Sequence, residues 1–154
     1  MPETTRKAPA PWADEFTQPT LAGLVEGLEA AERPAFEAAV EALKGRKGGR
    51  ERVTWQGLPW RWTVCVTVSG VERPALAYLV PRPGGPFVCI PVPIEGPGAP
   101  GLDELSKAVR SRLSNSPVVA GFVWAEWPVS ELDLVTIKPL LEARETPGGA
   151  GRAS

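Results

Sequence analysis

The sequence predicts an α+β fold of two layers, in which helices pack on one face of a mainly antiparallel sheet of four to five strands. Apolar residues recur at every second position from Trp60 to Val68, which is the period of a half-buried strand. Other segments show helical spacing instead. The connections between the first four strand candidates are short, which favours an antiparallel meander. The predicted order is helix, four strands, helix, strand, helix.

The length of 154 residues favours one domain, and a chain of this size buries roughly 70% of its unfolded surface without needing a disulfide or a metal. The two ends are rich in proline, glycine and polar residues. We therefore expect a flexible N-terminal arm over residues 1–18, a single α+β domain over 19–145 and a disordered C-terminal tail over 146–154. Trp12 and Phe16 would be aromatic anchors of the arm.

Two groups of apolar residues at helical spacing precede the strands: Leu21, Leu24, Val25 and Leu28, followed by Phe36, Ala39, Val40 and Leu43. Pro34 lies between the groups, and proline suits the first turn of a helix but not its interior. The pattern predicts two helices, or one helix with a sharp bend, ending at Gly45.

The strand candidates of the meander cover residues 52–56, 60–69, 75–80 and 87–94. In the fourth of them, Pro91 and Pro93 alternate with branched apolar residues, so one row of the strand lacks amide donors. A strand of this kind must lie at an edge of the sheet or end early.

Three tryptophans stand at the start of the long second strand. Simple alternation places Trp60 and Trp62 on one face, and a tight connection through residues 57–59 places Trp55 opposite them on the neighbouring strand. Large aromatic side chains on an alternating apolar face are usually buried. We therefore expect at least two of the three indoles to join the helical layer to the sheet.

The second half of the chain predicts a helix, a strand and a helix. Leu102, Leu105, Val109 and Leu113 have helical spacing, and residues 114–117 end that helix. Residues 118–127 are rich in β-branched and aromatic side chains and predict one strand. Ser130 and Asp133 resemble a capping box that opens a last helix, bent or restarted at Pro139.

The composition favours a protein that is not an enzyme and that uses no metal or cofactor. Histidine is absent, which removes the usual general base near neutral pH and the commonest metal ligand. Cys65 and Cys89 form no redox motif and are expected to be free thiols. No apolar run approaches the roughly 20 residues that span a bilayer. A cytoplasmic bacterial protein without membrane contact fits these features.

One basic loop is the strongest candidate for a binding site, with its cations and nearby side chains at Lys44, Arg46, Lys47, Arg50, Arg52, Trp55 and Arg61. Cations beside aromatic rings can hold phosphates and stack bases. The loop lacks the spacing of a phosphate-binding P-loop, and a solvated connection explains the same residues. The net charge of −1 gives the whole chain no attraction to nucleic acid.

A second candidate is Glu126, which stands between Trp124 and Trp127. An apolar setting raises the pKa of a carboxyl group into the range of a general acid, and Glu131 or Asp133 would supply a second carboxylate. The alternative is that Glu126 is the exposed end of a strand.

These observations lead to three hypotheses about function. The favoured one is a small non-enzymatic domain that acts through protein contacts, including contacts with a second copy of itself. The first alternative is binding of nucleic acid or another anionic ligand by the basic loop and the nearby tryptophans. The second alternative is an enzyme with Glu126 as its acid, which the missing histidine makes the least favoured.

Overall fold

The computed structural model describes residues 15–46, 48–57, 60–68, 74–82, 85–95 and 105–145. Most of the predicted arm, the whole predicted tail and the binding candidate Lys47 lie outside these residues. Within them, α-helices lie on one face of a six-stranded antiparallel sheet, which confirms the predicted α+β class and its two layers. The sheet has one strand more than the upper limit of the prediction.

The elements follow in chain order: α1 (Leu21–Glu26), α2 (Arg33–Lys44), β1 (Arg50–Trp55), β2 (Trp62–Thr67), β3 (Ala77–Val80), β4 (Phe87–Pro93), α3 (Lys107–Ser114), β5 (Val118–Val119), β6 (Phe122–Pro128) and α4 (Leu134–Glu145). A short 3-10 helix, Val129–Glu131, precedes α4. The strands lie in the order β1-β2-β3-β4-β6-β5, and all neighbours are antiparallel.

The first two helices begin and end as their residues predict. The Thr20 side chain accepts a hydrogen bond from the Gly23 amide and caps α1. Pro34 lies in the first turn of α2, where no amide hydrogen is needed, and Gly45 follows its last turn. The apolar stripe of α2 is buried against the sheet at Phe36, Ala39, Val40 and Leu43. Two separate helices are therefore confirmed.

The main core lies between the helices and one face of the sheet. Its central strands contribute the fully buried side chains Val64, Val66, Leu79, Val88 and Ile90. These residues alternate along β2, β3 and β4, so they all face the helices. The alternation predicted from Trp60 to Val68 is therefore observed from Trp62 onward. The side chains between these core residues point to the opposite face of the sheet.

The single strand predicted over residues 118–127 is instead the hairpin β5–β6, and this accounts for the sixth strand. Ala120 and Gly121 have φ of 55° and 84°, which is the left-handed pair of a two-residue turn that suits the twist of antiparallel strands. Alanine seldom takes this conformation, so the sequence carries only a weak turn signal here.

The prolines of β4 are accommodated by the loss of one neighbour rather than by an edge position. β4 lies between β3 and β6, but β3 pairs with it only from Phe87 to Cys89. Beyond Cys89, the strand continues through Pro91 and Pro93, and β6 is its only partner among the described strands. Both predicted alternatives are wrong, because β4 is an inner strand and continues to Pro93 rather than ending early. What ends early is its pairing with β3.

The boundaries of the last two helices differ from the prediction. Ser106 caps α3 through a hydrogen bond from the Val109 amide, so α3 begins after Leu105. Asp133 rather than Ser130 caps α4, because its carboxylate accepts hydrogen bonds from the Val135 amide and the Thr136 hydroxyl. The hydrogen bond from Thr136, and then that from Val135, lowers the pKa of Asp133. α4 continues through Pro139.

Candidate functional site: the open face of the sheet

A reversal of the backbone at Arg61 sends two neighbouring tryptophans to opposite faces of the sheet. Arg61 has φ of 63°, in the left-handed region, so regular alternation begins only at Trp62. Trp62 is buried in the main core and lies directly opposite Trp55, with ring centroids 5.6 Å apart. Trp60 packs with a second cluster on the other face. The prediction that Trp60 and Trp62 share a face is therefore wrong.

We call the face that points away from the main core the open face. The described helices reach only its margins, where α3 lines a cleft with Trp124 and Glu126 and where Arg144 of α4 lies over Phe122. Its side chains include a chain of contacting aromatic rings, which we call the aromatic strip: Phe87, Trp60, Tyr78, Trp124 and Phe122. Successive ring centroids lie between 5.5 and 6.4 Å apart. The strip crosses β3, β4 and β6, and all its members except the buried Phe87 are half-buried.

The polar atoms of two strip residues are satisfied inside the protein. The Tyr78 hydroxyl accepts a hydrogen bond from the Ala75 amide at 3.0 Å, and the Trp124 indole N–H donates to the Val119 carbonyl at 3.2 Å. Burial is the main cause that raises the pKa of Tyr78, so its hydroxyl stays protonated. What these two side chains present to solvent is therefore mainly ring surface.

Arg144, in the last turn of α4, anchors one end of the open face. Its guanidinium donates hydrogen bonds to the carbonyl oxygens of Pro74, Ala75 and Pro91, at 2.8 to 3.1 Å. It also lies over the ring of Phe122, 5.5 Å from the centroid. These carbonyls lie where β3 has not yet begun and where no described strand pairs with β4 on that side. The guanidinium therefore replaces the missing strand contacts, and burial lowers its pKa.

Charged side chains flank the aromatic strip at both margins of the open face. Arg50 and Arg52 are exposed on β1, and Glu126 is exposed on β6. Arg82 lies over the ring of Phe87, 4.6 Å from its centroid. The face therefore has an apolar centre, a positive margin on β1 and a negative residue on β6.

The predicted basic site is divided between the two faces of β1. The Lys44 ammonium donates to Glu51 at 2.8 Å, and this contact, with a smaller effect of Glu41, raises the pKa of Lys44. Trp55 lies on the same side as Glu51, against the main core. Arg50 and Arg52 point to the open face instead, because they alternate with Glu51 along the strand.

The two remaining described cations of that predicted site lie outside the strands of the sheet. Arg46 follows α2 and is half-buried, with an interaction of its own. Arg61 is half-buried at the turn before β2, where its backbone bonds to Gly57 and Gln56. The structure thus brings together Arg50, Arg52 and the rings, but not the full predicted set.

The two cysteines lie on the open face with one strand between them. Cys65 of β2 and Cys89 of β4 are each register partners of Tyr78 in β3. Two strand spacings separate their Cα atoms by roughly 9.6 Å, beyond the roughly 7 Å that a disulfide allows. Both are free and buried, as predicted. Burial raises the pKa of the Cys65 thiol and raises that of Cys89 to about 12, so both are protonated at neutral pH.

The buried thiol of Cys89 makes the fold sensitive to alkali. Above about pH 9 the thiol of the unfolded chain releases a proton that the folded chain retains up to about pH 12, so the contribution of this thiol to the free energy of unfolding falls by about 1.4 kcal/mol per pH unit. We expect Cys89→Ala to flatten this decline. Urea unfolding at pH 7 to 10.5 measures both slopes. Below pH 8 the two curves should run parallel, and equal slopes above pH 9 would contradict the assignment.

Two neighbouring clefts lie beside α3, on either side of Arg112. One has a volume of about 480 Å³ between α3 and β6 and is lined by residues that include Asn115, Trp124 and Glu126. The other has a volume of about 220 Å³ and contains Glu131 and Asp133. Glu126 is exposed, and the carboxylates proposed as its partners line the other cleft. The apolar setting on which the enzyme hypothesis depends is therefore not observed.

Among the described residues, no group of three cysteine or acidic side chains is placed to hold a metal ion. No helix in that part of the chain is both long and apolar enough to cross a bilayer. Comparisons of the chain with protein families, curated proteins and solved structures find no match. The candidate site is therefore defined by its own geometry.

Three residues of the open face were missed by sequence reasoning. Tyr78 and Phe87 lie in short apolar segments whose face cannot be assigned before the register is known. Arg144 follows the last apolar residues of α4, and its carbonyl partners are 53 to 70 residues away in sequence. Contacts between residues so far apart in sequence cannot be predicted from a local sequence pattern.

Proposed function

We propose that this protein is a non-enzymatic binding domain that recognises a protein partner through its open face. The observation that carries the proposal is the aromatic strip, because contiguous apolar surface that a small domain leaves partly accessible marks an interaction site more often than a structural one. Aromatic side chains are enriched at the centres of protein interfaces, and charges are more common at their rims. The open face has this arrangement, with rings in the middle and charges at the margins.

The strip is also rigid, which favours binding. Tyr78 and Trp124 are tied to the backbone of Ala75 and Val119, and Arg144 stacks on Phe122. A side chain that is already ordered loses little rotamer entropy on association, so more of its contact energy contributes to affinity.

A second candidate function is binding of single-stranded nucleic acid on the same face. It is favoured by one observation, the exposed Arg50 and Arg52 on the open face that also carries Tyr78 and Trp60. Sheets with rings and flanking cations stack bases in this way. The negative Glu126 on the opposite margin and the net charge of −1 oppose it. We therefore rank it below a protein partner.

Site-specific photo-crosslinking in the native host tests both candidates. A benzoylphenylalanine replaces Thr67 on β2 or Val119 on β5, which lie at two margins of the open face. The matched controls are Glu37 and Glu41, which are exposed on the outer side of α2. We expect discrete adducts that resist nuclease and are lost on proteolysis, formed from the two sheet positions and not from α2.

Other outcomes of this experiment are equally informative. Adducts that are lost on nuclease treatment would replace the protein partner by the nucleic-acid candidate. Adducts formed equally from the sheet and from α2, or from neither, would overturn the open face as the binding surface. A mass of twice the chain would identify the partner as a second copy, which the following inference addresses.

A further inference from the structure

One register row of the open face runs across five strands of the sheet. Its members are direct Cα partners from strand to strand, in the order Arg52, Cys65, Tyr78, Cys89 and Glu126. Neighbouring strands are about 4.8 Å apart, so the two ends of the row are separated by roughly 19 Å. Tyr78 stands at the centre of the row.

The row has opposite charges at equal distances from its centre. Arg52 on β1 and Glu126 on β6 are both exposed, and each lies two strands from Tyr78. The two positions between them and the centre are both cysteines. A rotation of such a row by 180° about an axis parallel to β3 at its centre exchanges the positions of the cation and the anion. The same rotation exchanges the two cysteines and leaves Tyr78 at the centre. The row is therefore complementary to itself.

We propose that the partner of the open face is a second copy of this chain, docked face to face about a two-fold axis that runs along β3 through Tyr78. This inference rests on the proposed function of the open face and names its occupant. The axis sets Arg52 against the partner's Glu126, and the reciprocal pair forms at the other end. Facing sheets pack about 10 Å apart, a gap that an arginine and a glutamate span when they meet end to end.

The neighbouring row supports the same axis. β1 and β6 run in the same direction, so Arg50 and Trp124 each lie two residues before the charged member of the first row. The same rotation places Arg50 against the partner's Trp124, where a guanidinium over an indole is favourable. An axis across the strands would instead set Arg52 against its own copy, and like charges would repel.

The size of the face predicts a reversible dimer. Five strands and about six residues along each strand give a projected area of roughly 400 Å². Standard interfaces bury about 800 Å² per partner, so this contact belongs to the weak, transient class. The dimer should therefore form at high protein concentration and dissociate on dilution.

Charge reversal at the two ends of the row tests the proposal. We expect R52E alone and E126R alone to raise the dimer dissociation constant about tenfold or more, because each sets like charges together twice. The double variant R52E/E126R should restore it, and a mixture of the two single variants should form a heterodimer. Sedimentation equilibrium measures these constants. The matched control is E37R on the exposed side of α2, which should leave the constant unchanged.

Each contrary outcome identifies what has failed. A wild-type chain that sediments as a monomer up to about 1 mM, or single variants that dimerise like the wild type, would overturn the self-association. Open-face adducts to a different protein alone would do the same, while the proposed function would still stand. The absence of any open-face adduct would remove both. Both positions are exposed, so circular dichroism of each variant should match the wild type.

Discussion

Replacing Arg144 with methionine is expected to lower the free energy of unfolding by about 3 kcal/mol, since hydrogen bonds from a charged donor are worth about 1.5 to 3 kcal/mol each and are not additive. The substitution keeps most of the aliphatic length but removes three hydrogen bonds, to Pro74, Ala75 and Pro91. Those carbonyls lie at an interruption of the sheet, and the described structure offers them no substitute donor. Urea unfolding followed by tryptophan fluorescence measures the change.

Two companion variants separate the hydrogen bonds from the charge. Arg144→Lys keeps the positive charge but replaces the forked guanidinium with a single ammonium group. We therefore expect its free energy of unfolding to lie between that of the wild type and that of the methionine variant. Arg50→Met makes the same chemical change at an exposed position of β1 and should cost less than about 0.5 kcal/mol. A methionine variant at 144 as stable as the one at 50 would show that the three contacts contribute nothing.

Truncating Trp62 to alanine is expected to destabilise the fold by about 4 kcal/mol, the usual cost of removing a large aromatic side chain from a core. Trp62 is 8% exposed, and its ring packs edge-on against Trp55 in the cluster that joins the helices to the sheet. The side chain of alanine cannot fill that space, so a cavity remains. Chemical denaturation gives the loss directly.

Trp60 is the matched comparison, two residues away on the other face. It is half-buried and contacts Tyr78 and Phe87 rather than the main core, so Trp60→Ala should cost about 1 to 2 kcal/mol. The difference between the two variants measures the effect of the reversal at Arg61. If Trp60→Ala were as costly as Trp62→Ala, the two indoles would share one core and the assigned faces would be wrong.

Local periodicity was enough to predict the class of the fold. One helix or one strand that packs on a core shows a regular spacing of apolar residues within its own segment. This is the case for the helical stripe from Phe36 to Leu43 and for the alternation from Trp62 to Val68. Features that depend on single backbone conformations were not predictable. Arg61 and Ala120 adopt left-handed backbone conformations, and nothing in the composition of their segments indicates this. The conformation of Arg61 places Trp60 on the face opposite to Trp62, and that of Ala120 turns one predicted strand into a hairpin.

The candidate site was predictable only in part. The sequence indicated cations near tryptophans, and the structure keeps Arg50 and Arg52 on the open face but turns Trp55 toward the core. The row that ends in Arg52 and Glu126 joins residues 74 positions apart, and such a row exists only once the register of each strand pair is known. Register depends on long-range pairing, which a single sequence does not display.

The interruption of the sheet beyond β3 has a consequence for solubility. An unpaired stretch inside a sheet is normally a template onto which a misfolded neighbour can add a strand and begin aggregation. Here Pro91 and Pro93 supply no amide hydrogens along that stretch, and the carbonyl of Pro91 is already occupied by Arg144. An invading chain would meet neither a free donor nor that acceptor, so the gap is closed to amyloid-like growth without the addition of another strand.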